Sequence, residues 1–376
     1  MRINKNKNNC CGCNACYSIC PANAITMQAD TFGFMYPSIN NEKCIDCGLC
    51  EKVCQFKSDY STFDTNKPQI FALRNKDTNQ LLKSQSGGAF WTIAHSFINN
   101  KGVVYGVGYG ENFKIIHKRV DNVNDLEELR GSKYVQSEIG ETFKDVLHDL
   151  KKGEKVLFSG TSCQIANLKS YIGNKWRHNL FTIDIICHGV PSPYVWSDFI
   201  TYIEKKKNNN IISVNFRDKT KGWENCVSSF KFKDNIYYTK EYSKIFYSKL
   251  FLRECCYICP FTNFNRVSDI TIGDFWGWEK QSNLFNDNKG VSLLLVNSPK
   301  GHLLVNSVKD KVYLIEKDKD SCLQKNLKEP TYRNPLRTKI ETDYYSKGFD
   351  FVYNKYINLN PFEKILRKIK SIIKFK

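Results

Sequence analysis

The feature that most constrains this chain is a cysteine motif that occurs twice within its first 54 residues. Each copy has the spacing C-x2-C-x2-C-x3-C, followed by Pro21 in the first copy and by Gln55 in the second. Such spacing lets three thiolates of one copy hold one 4Fe-4S cluster, while the fourth cysteine binds the other cluster. The expected ligands are Cys10, Cys13, Cys16 and Cys54 for the first cluster, and Cys44, Cys47, Cys50 and Cys20 for the second.

Zinc is the alternative occupant, because CxxC pairs also form structural zinc sites with four sulfur ligands. Two complete sets of four cysteines at identical spacing favour iron-sulfur clusters over zinc. Gly12 and Gly48 allow backbone N–H groups to approach the cluster sulfurs. Cys11 lies off the pattern, and we interpret it as a spare thiol.

Composition places the chain among folded cytoplasmic proteins. The N-terminal segment MRINKNK has no apolar stretch after its positive charges, so no secretory signal is predicted, and no run of 18 apolar residues occurs. The sixteen cysteines are therefore expected to face a reducing compartment and to hold metal rather than disulfides. The formal charge of +18 is spread along the chain, which favours an acidic redox partner or substrate over specific nucleic-acid binding.

The chain is expected to consist of a small domain and a larger body. We predict a two-cluster domain at residues 1–60, a polar linker at 61–68, lobes at 69–150 and 151–345, and a basic amphipathic tail at 346–376. Strand patterns at 102–109, 155–159 and 180–186 alternate with helical patterns at 140–152 and 161–172. Further strand patterns occur at 211–216, 227–232, 270–273 and 291–296. This organisation predicts an α+β protein, in which a bacterial-type 2x4Fe-4S ferredoxin domain precedes an α/β body.

The C-terminal residues 361–376 place apolar side chains at helical spacing with lysines between them. Such a helix suits docking on the body or on a partner protein, and peripheral contact with a membrane surface is the alternative.

Several segments of the body, taken in order, resemble the beta-subunit family of coenzyme F420 hydrogenases and dehydrogenases, in the form that carries a fused two-cluster ferredoxin domain. The segments are SGG at 86–88, GSKYVQS at 131–137, SGTSCQI at 159–165, ICHGVPSP at 186–193, GW at 222–223, CYICPF at 256–261 and DITIGDFWG at 269–277. The resemblance implies an oxidoreductase with a flavin, usually FAD, and a further 4Fe-4S cluster. It also implies an organic electron partner such as coenzyme F420.

The resemblance and the local chemistry together suggest residues for the flavin site. The candidate flavin-binding residues are Ser86, Gly87, Gly88, Gly131, Ser132, Lys133, Gly160, Thr161 and Asp274. Ser86-Gly87-Gly88 precedes a helical pattern at 89–97, so its N–H groups suit a flavin phosphate, and an ordinary helix cap with glycines in a turn is the less favoured alternative. The candidate catalytic residues are Lys133, Tyr134 and His188. Arg217 and Lys219 are further candidate anion binders.

Four separated cysteines are candidate ligands of the third cluster: Cys163, Cys187, Cys256 and Cys259. Spacing alone leaves buried structural cysteines as an equal alternative, and the resemblance favours the cluster. Cys255 competes with Cys256, which we prefer because it forms CxxC with Cys259. Cys226 and Cys322 are expected to be structural.

The preferred hypothesis is an enzyme in which two N-terminal clusters exchange electrons with a protein such as ferredoxin or a reductase subunit. A third cluster and FAD then connect them to an organic two-electron donor or acceptor, because clusters carry single electrons and flavins handle both. A non-catalytic electron-relay subunit of a larger reductase is the alternative. The sequence leaves open the organic substrate, the direction of electron flow and the choice between FAD and FMN.

Overall fold

The two cysteine motifs lie in a small N-terminal unit built on a β-hairpin. The structure, a computed structural model, describes residues 6–56, Thr62 and residues 68–359. The hairpin strands are antiparallel, and the Asp30 carboxylate accepts hydrogen bonds from the backbone N–H groups of Phe32 and Phe34 in the connecting turn. Each motif runs into a short helix. The elements are α1 (Ala15–Ile19), β1 (Ile25–Ala29), β2 (Met35–Ile39) and α2 (Leu49–Val53).

The body is built around an eight-stranded mixed sheet with the order β13-β3-β12-β11-β7-β6-β4-β5. Four central strands are parallel to one another, namely β4, β6, β7 and β11. All other neighbouring strands in this sheet are antiparallel. The strands are β3 (Gln69–Asn75), β4 (Val103–Tyr109), β5 (Ile115–Val120), β6 (Val156–Gly160), β7 (Leu180–Ile185), β11 (Ile270–Asp274), β12 (Ser292–Val296) and β13 (Val312–Lys317).

Helices cover both faces of this sheet, because successive residues of a strand point to opposite sides. Val104 and Leu157 pack towards α4 and α10, whereas Val103 and Phe158 pack towards α6 and α7. The helices are α3 (Thr78–Lys83), α4 (Ala89–Asn99), α5 (Val123–Leu126), α6 (Thr142–Lys151), α7 (Ser162–Ile172), α8 (Pro193–Lys207), α9 (Glu241–Ser248), α10 (Pro299–Asn306) and α11 (Arg337–Val352). The α+β architecture predicted from the sequence is confirmed.

A second, three-stranded antiparallel sheet with the order β10-β9-β8 lies beside α8, α9 and α11. Its strands are β8 (Ser213–Asn215), β9 (Ser228–Lys231) and β10 (Ile236–Thr239). Short 3-10 helices complete the body at Glu111–Phe113, Glu127–Leu129, Asn174–Asn179, Lys219–Lys221, Trp223–Asn225, Glu254–Ile258, Trp278–Lys280, Asp320–Cys322 and Lys325–Leu327, and another, Lys7–Asn9, precedes the first motif.

Two predicted boundaries differ from the structure. The boundary at residue 150 divides the large sheet, since β4 before it pairs with β6 after it, so residues 69–345 are not two separate lobes. The boundary at residue 346 falls inside α11, which continues into the π-helix Tyr353–Ile357. Phe349 and Tyr353 are buried in the same aromatic cluster as Phe199, so this part of the chain belongs to the body. Most of the predicted linker and the helix predicted at 361–376 lie outside the described residues.

The N-terminal unit packs directly on the body. Ala15 and Val53 are buried against the α6/α7 side of the sheet, and Phe32 is buried beside Phe251. Ser192 donates its hydroxyl to the carbonyl of Phe32 over 2.5 Å. These contacts hold the cysteine motifs close to the body's own cysteines. None of the helices within the described residues has the length and apolar character needed to cross a bilayer.

Candidate functional site

The first set of predicted cluster ligands surrounds one cavity. Its thiol-bearing lining residues include Cys10, Cys13, Cys16 and Cys54. Burial, followed by the neighbouring thiols of Cys10 and Cys54, raises the pKa of Cys16 to about 12. Cys54 of the second motif therefore lies beside the cysteines of the first motif, in the exchanged arrangement that the spacing predicts.

The second set lines a separate cavity nearer the surface. Cys20, Cys44, Cys47 and Cys50 surround it, again with one cysteine from the other motif. Cys47 is exposed, and the neighbouring Ile45 side chain is 66% exposed. A cluster bound here would be the one accessible to a partner protein, whereas the first lies against the body.

The four candidate ligands of the third cluster also come together. Cys163 lies in the first turn of α7 just after β6, and Cys187 follows β7, so the carboxyl ends of two adjacent parallel strands bring them close. Cys256 lies in the 3-10 helix Glu254–Ile258, and Cys259 follows it. All four line one cavity, together with Cys11 and Cys255.

The thiols of this third set influence one another. Burial, followed by Cys163, raises the pKa of Cys187 to about 12, and burial, followed by Cys163, also raises the pKa of Cys259. A hydrogen bond between Cys255 and Cys256 lowers the pKa of Cys255 and raises that of Cys256. Within residues 6–56 and 68–359, no three His, Cys, Asp or Glu side chains converge closely enough for a single metal ion. The thiols instead surround cavities, an arrangement that fits a multi-iron cluster.

A buried ion pair that the sequence reasoning missed supports the third cavity. Arg266 Nη2 lies 2.6 Å from Asp184 Oδ2, and both side chains are almost fully buried. Arg266 also donates to the carbonyl of Phe261 and to the hydroxyl of Ser162, so it joins the loop after Cys259 to β7 and α7. The sequence signal for this pair is a charged residue, Asp184, inside an otherwise apolar strand.

Most candidate flavin residues line one larger cavity of about 410 Å³. It lies at the carboxyl ends of β6, β7 and β11, the edge at which open α/β sheets bind ligands. The predicted residues in its wall are Ser86, Gly88, Gly131, Ser132, Lys133, Tyr134, Gly160, Thr161, His188 and Asp274. Gly88 precedes α4 with a φ of 86°, and no side chain caps the N-terminus of this helix.

Gly87 has a different role from the one predicted. Its N–H donates to Ser292 Oγ over 2.8 Å, and a Cβ placed on it would lie 1.9 Å from the carbonyl oxygen of Leu73. Glycine at this position therefore allows close packing against β3 and β12, and Gly87 does not line the cavity.

The three candidate catalytic residues are held by backbone and side-chain contacts. Lys133 Nζ donates to the carbonyls of Glu128 and Arg130, and burial lowers the pKa of Lys133 to about 7. The Tyr134 hydroxyl accepts from Arg217, and burial raises the pKa of this phenol. Burial lowers the pKa of His188, whose backbone carbonyl accepts from Thr331.

The two candidate anion binders are engaged by the protein itself. Arg217 forms an ion pair with Asp274 and donates to the carbonyl of Trp223. Lys219 Nζ donates to the carbonyls of Leu81 and Ser86, each over 2.7 Å. Both cations thus stabilise the wall of the cavity rather than presenting free charge to a ligand.

Sequence reasoning also missed an aromatic part of this cavity wall, formed by Phe246, Tyr247 and Trp276. The Trp276 ring stacks on Trp223, with ring centroids 4.8 Å apart. Trp276 lies within the run DITIGDFWG, and this motif could have pointed to it as a residue of the site. Phe246 and Tyr247 lie in no motif, so no local pattern pointed to them.

Three of these cavities adjoin one another. The first cluster cavity and the third cavity share Cys11 and Phe56 as lining residues. The third cavity and the large cavity share the segment Cys187-His188-Gly189-Val190 together with Thr161 and Gln164. Cys11, which was interpreted as a spare thiol, is buried between the first and third cavities, and its sulfur accepts hydrogen bonds from Asn167 and Gln55.

Comparison with known proteins identifies two domains. Residues 9–58 match the 4Fe-4S dicluster domain, and residues 153–321 match the family described as the C terminus of the coenzyme F420 hydrogenase/dehydrogenase beta subunit. One similar solved structure is the xenon-derivatised F420-reducing NiFe hydrogenase complex of Methanosarcina barkeri. The identity is 14%, the match covers 78% of this chain and 90% of that chain, and the TM-score is 0.45. The search among curated proteins found no match.

The cysteine motifs and the matched domains define an iron-sulfur protein of the oxidoreductase type. Within this class, residues 153–321 carry the C-terminal domain of the coenzyme F420 hydrogenase/dehydrogenase beta subunit and residues 9–58 a 4Fe-4S dicluster domain, as the motifs indicated.

Proposed function

We propose that this chain is an enzyme that passes electrons between its two N-terminal clusters and an organic two-electron partner, through a third 4Fe-4S cluster and FAD. Coenzyme F420 is one such partner, and the family description is the reason for naming it. A second protein, such as ferredoxin or another subunit of a redox complex, exchanges electrons with the N-terminal clusters.

The observation that carries this proposal is that the first cluster site, the third cysteine set and the large cavity adjoin one another. The first cluster site shares lining residues with the third cysteine set, and the third set shares lining residues with the large cavity. The second cluster site lies in the same N-terminal unit, with Cys47 exposed at the surface. A relay that ended at the dicluster domain would need neither the third set of thiols nor the large cavity. This arrangement therefore favours the enzyme over the relay subunit.

The chemistry of the large cavity fits a flavin. Its volume of about 410 Å³ is in the usual range for cofactor sites, and its wall combines aromatic rings with a few polar groups. The uncapped N-terminus of α4 beside Ser86 and Gly88 offers backbone N–H groups to a phosphate. A flavin bound here would exchange single electrons with a cluster and electron pairs with an organic molecule.

The chain's own residues would orient the two reactants. Trp276 and Tyr134 offer flat surfaces to ring systems, and Asp274 holds Arg217 beside the Tyr134 hydroxyl. Lys133 carries a proton on Nζ that burial makes easier to lose, because burial lowers its pKa to about 7. Lys133 is therefore suited to proton exchange with an organic partner near neutral pH.

The test is a count of cofactors in anaerobically purified protein. The enzyme hypothesis predicts about one flavin per chain together with more than eight irons, since two cubanes alone account for about eight. Fully reconstituted protein that holds about eight irons and takes up neither FAD nor FMN would support the relay hypothesis instead. Zinc with little iron would contradict both.

A further inference from the structure

Three of the arginines that the structure describes are no more than 2% exposed: Arg253, Arg266 and Arg337. A guanidinium remains charged in proteins, and a buried charge is costly unless an opposite charge accompanies it. Arg266 is paired with Asp184 at 2.6 Å, and Arg337 is paired with Glu341 at 3.0 Å. Arg253 forms no ion pair with a carboxylate in the described part of the chain.

The contacts of Arg253 lead to the first cluster instead. Its Nε donates to the carbonyl of Cys10 over 2.7 Å, and its Nη2 lies 3.5 Å from the Cys10 sulfur. Its other donors bind the carbonyl of Met35 and the side-chain oxygen of Gln136. The guanidinium also lies over the Tyr36 ring, at 4.2 Å from the ring centroid. The Cys10 sulfur is therefore a ligand atom of the first cluster site that could balance this charge, and the Cys255 thiol is a second neighbour of the guanidinium.

Gly12 gives an independent indication that the guanidinium belongs at this place. A Cβ on Gly12 would lie 2.7 Å from Arg253 Nη1. The corresponding position of the second motif is Asp46, which adopts a φ of 49°, close to the 66° of Gly12. The backbone conformation alone therefore does not require glycine at position 12, whereas the approach of Arg253 does.

We propose that Arg253 is the buried counter-charge of the first cluster and raises the reduction potential of that cluster above that of the second. A nearby positive charge stabilises the more negative, reduced state of a cluster, and burial prevents solvent from screening it. Arg253 reaches the first cluster site through its contacts with Cys10 and itself lines the third cavity, so a cluster in the third cavity would experience the same charge. Arg253 does not line the second cluster cavity. This difference in reduction potential favours electron transfer from the exposed second cluster to the first cluster beside the body.

The test compares cluster potentials in intact protein by anaerobic redox titration followed by electron paramagnetic resonance. Arg253→Met removes the charge and should move the first cluster to a more negative potential, with the second cluster unchanged as an internal reference. Arg253→Lys keeps a charge at greater distance and should give a smaller shift. Cys16→Ser and Cys47→Ser assign the signals, because each removes a ligand from one cluster. Iron analysis of each preparation separates loss of a cluster from a change in its potential.

Gly12→Ala provides a second route that leaves Arg253 in place. The added methyl group should push the guanidinium away and lower the potential of the first cluster. Gly48→Ala is the matched control, since its backbone φ is 70° and an added Cβ meets no protein atom within 4 Å. Unchanged first-cluster potentials in variants that retain their iron would overturn the proposal.

The unmodified protein supplies a measurement that does not depend on folding of any variant. With isotopically labelled arginine incorporated, pulsed resonance spectra of the reduced first cluster should contain a nitrogen coupling that changes with the label, as expected for a guanidinium in contact with the Cys10 sulfur. Absence of any arginine coupling would show that this contact does not form around the cluster, and the proposal would be wrong.

Discussion

Arg217 holds Asp274 at the edge of the large cavity, with Arg217 Nη1 at 2.5 Å from Asp274 Oδ2. Trp223 donates its indole N–H to the other carboxylate oxygen over 2.8 Å. Asp274 is the last residue of β11 and lines the cavity proposed for flavin. The ion pair therefore stabilises the body and also fixes the shape of the cavity wall.

Asp274→Ala should destabilise the body because it leaves the Arg217 guanidinium, only 4% exposed, without its counter-charge. Loss of one partner of a buried pair costs about 3 kcal/mol or more. Denaturant unfolding under anaerobic conditions measures the free energy. Glu329→Ala is the control, since its pair with Lys325 is more than half exposed and should contribute little. An equal decrease in the free energy of unfolding in both variants would show that the buried Arg217–Asp274 pair stabilises the protein no more than an exposed pair does.

Cys259→Ser should lower the iron content from about twelve to about eight per chain, because each cubane contains four irons. Both N-terminal clusters should remain reducible. Cys226→Ser and Cys322→Ser should keep the full iron content, since neither side chain lines a cluster cavity. An iron content of about twelve in Cys259→Ser would assign the fourth ligand elsewhere, with Cys255 the first candidate. An unmodified chain that never exceeds about eight irons would exclude the third cluster.

Trp276→Ala should weaken flavin binding about tenfold or more, which corresponds to about 1.4 kcal/mol. The ring lines the proposed flavin cavity and is stacked against Trp223, so its removal deletes a flat apolar surface. Titration of flavin-depleted protein with FAD gives the Kd. Tyr332→Ala, which removes a ring that is 65% exposed and lies outside the cavity, should leave the Kd unchanged. Equal affinity in both variants would place the flavin elsewhere.

Lys219 should make stability depend on pH above neutrality. Burial lowers the pKa of Lys219 to about 7, whereas an unfolded lysine titrates near about 10.4. Between these values the unfolded state binds a proton that the folded state lacks, so the folded state gains stability as the pH rises. The Tm of the unmodified protein should therefore contain a contribution that rises between about pH 7 and about pH 10, and Lys219→Met should remove this contribution. Lys221→Met, on the same 3-10 helix but exposed, should retain it.

Local sequence patterns predicted the parts of this protein that depend on short-range spacing. The cysteine spacing predicted which cysteines share a cavity around Cys16 and around Cys47, including the exchange of Cys20 and Cys54, and their roles as cluster ligands stay predictions. Alternating apolar patterns located the central strands β4, β6 and β7 and the helices between them. Family motifs pointed to most of the residues that line the large cavity.

Features that depend on long-range packing were not visible in the sequence. Nothing near Arg253 indicates that its partner is Cys10, which lies 243 positions away. The role of Gly87 follows from the approach of Leu73 and Ser292, and the burial of Phe349 follows from its aromatic neighbours. Such contacts are set when distant segments meet in the fold, so local propensity and spacing cannot encode them.

The most direct test of the account is rapid reduction of the flavin by electrons that enter at the N-terminal clusters. Reduced ferredoxin is mixed anaerobically with reconstituted protein, and the flavin absorbance is followed in the unmodified chain and in Cys259→Ser at equal flavin content. The account predicts fast flavin reduction in the unmodified chain, and in Cys259→Ser reduction of the N-terminal clusters without the flavin. Equal rates of flavin reduction in both proteins would contradict a path through the third cluster.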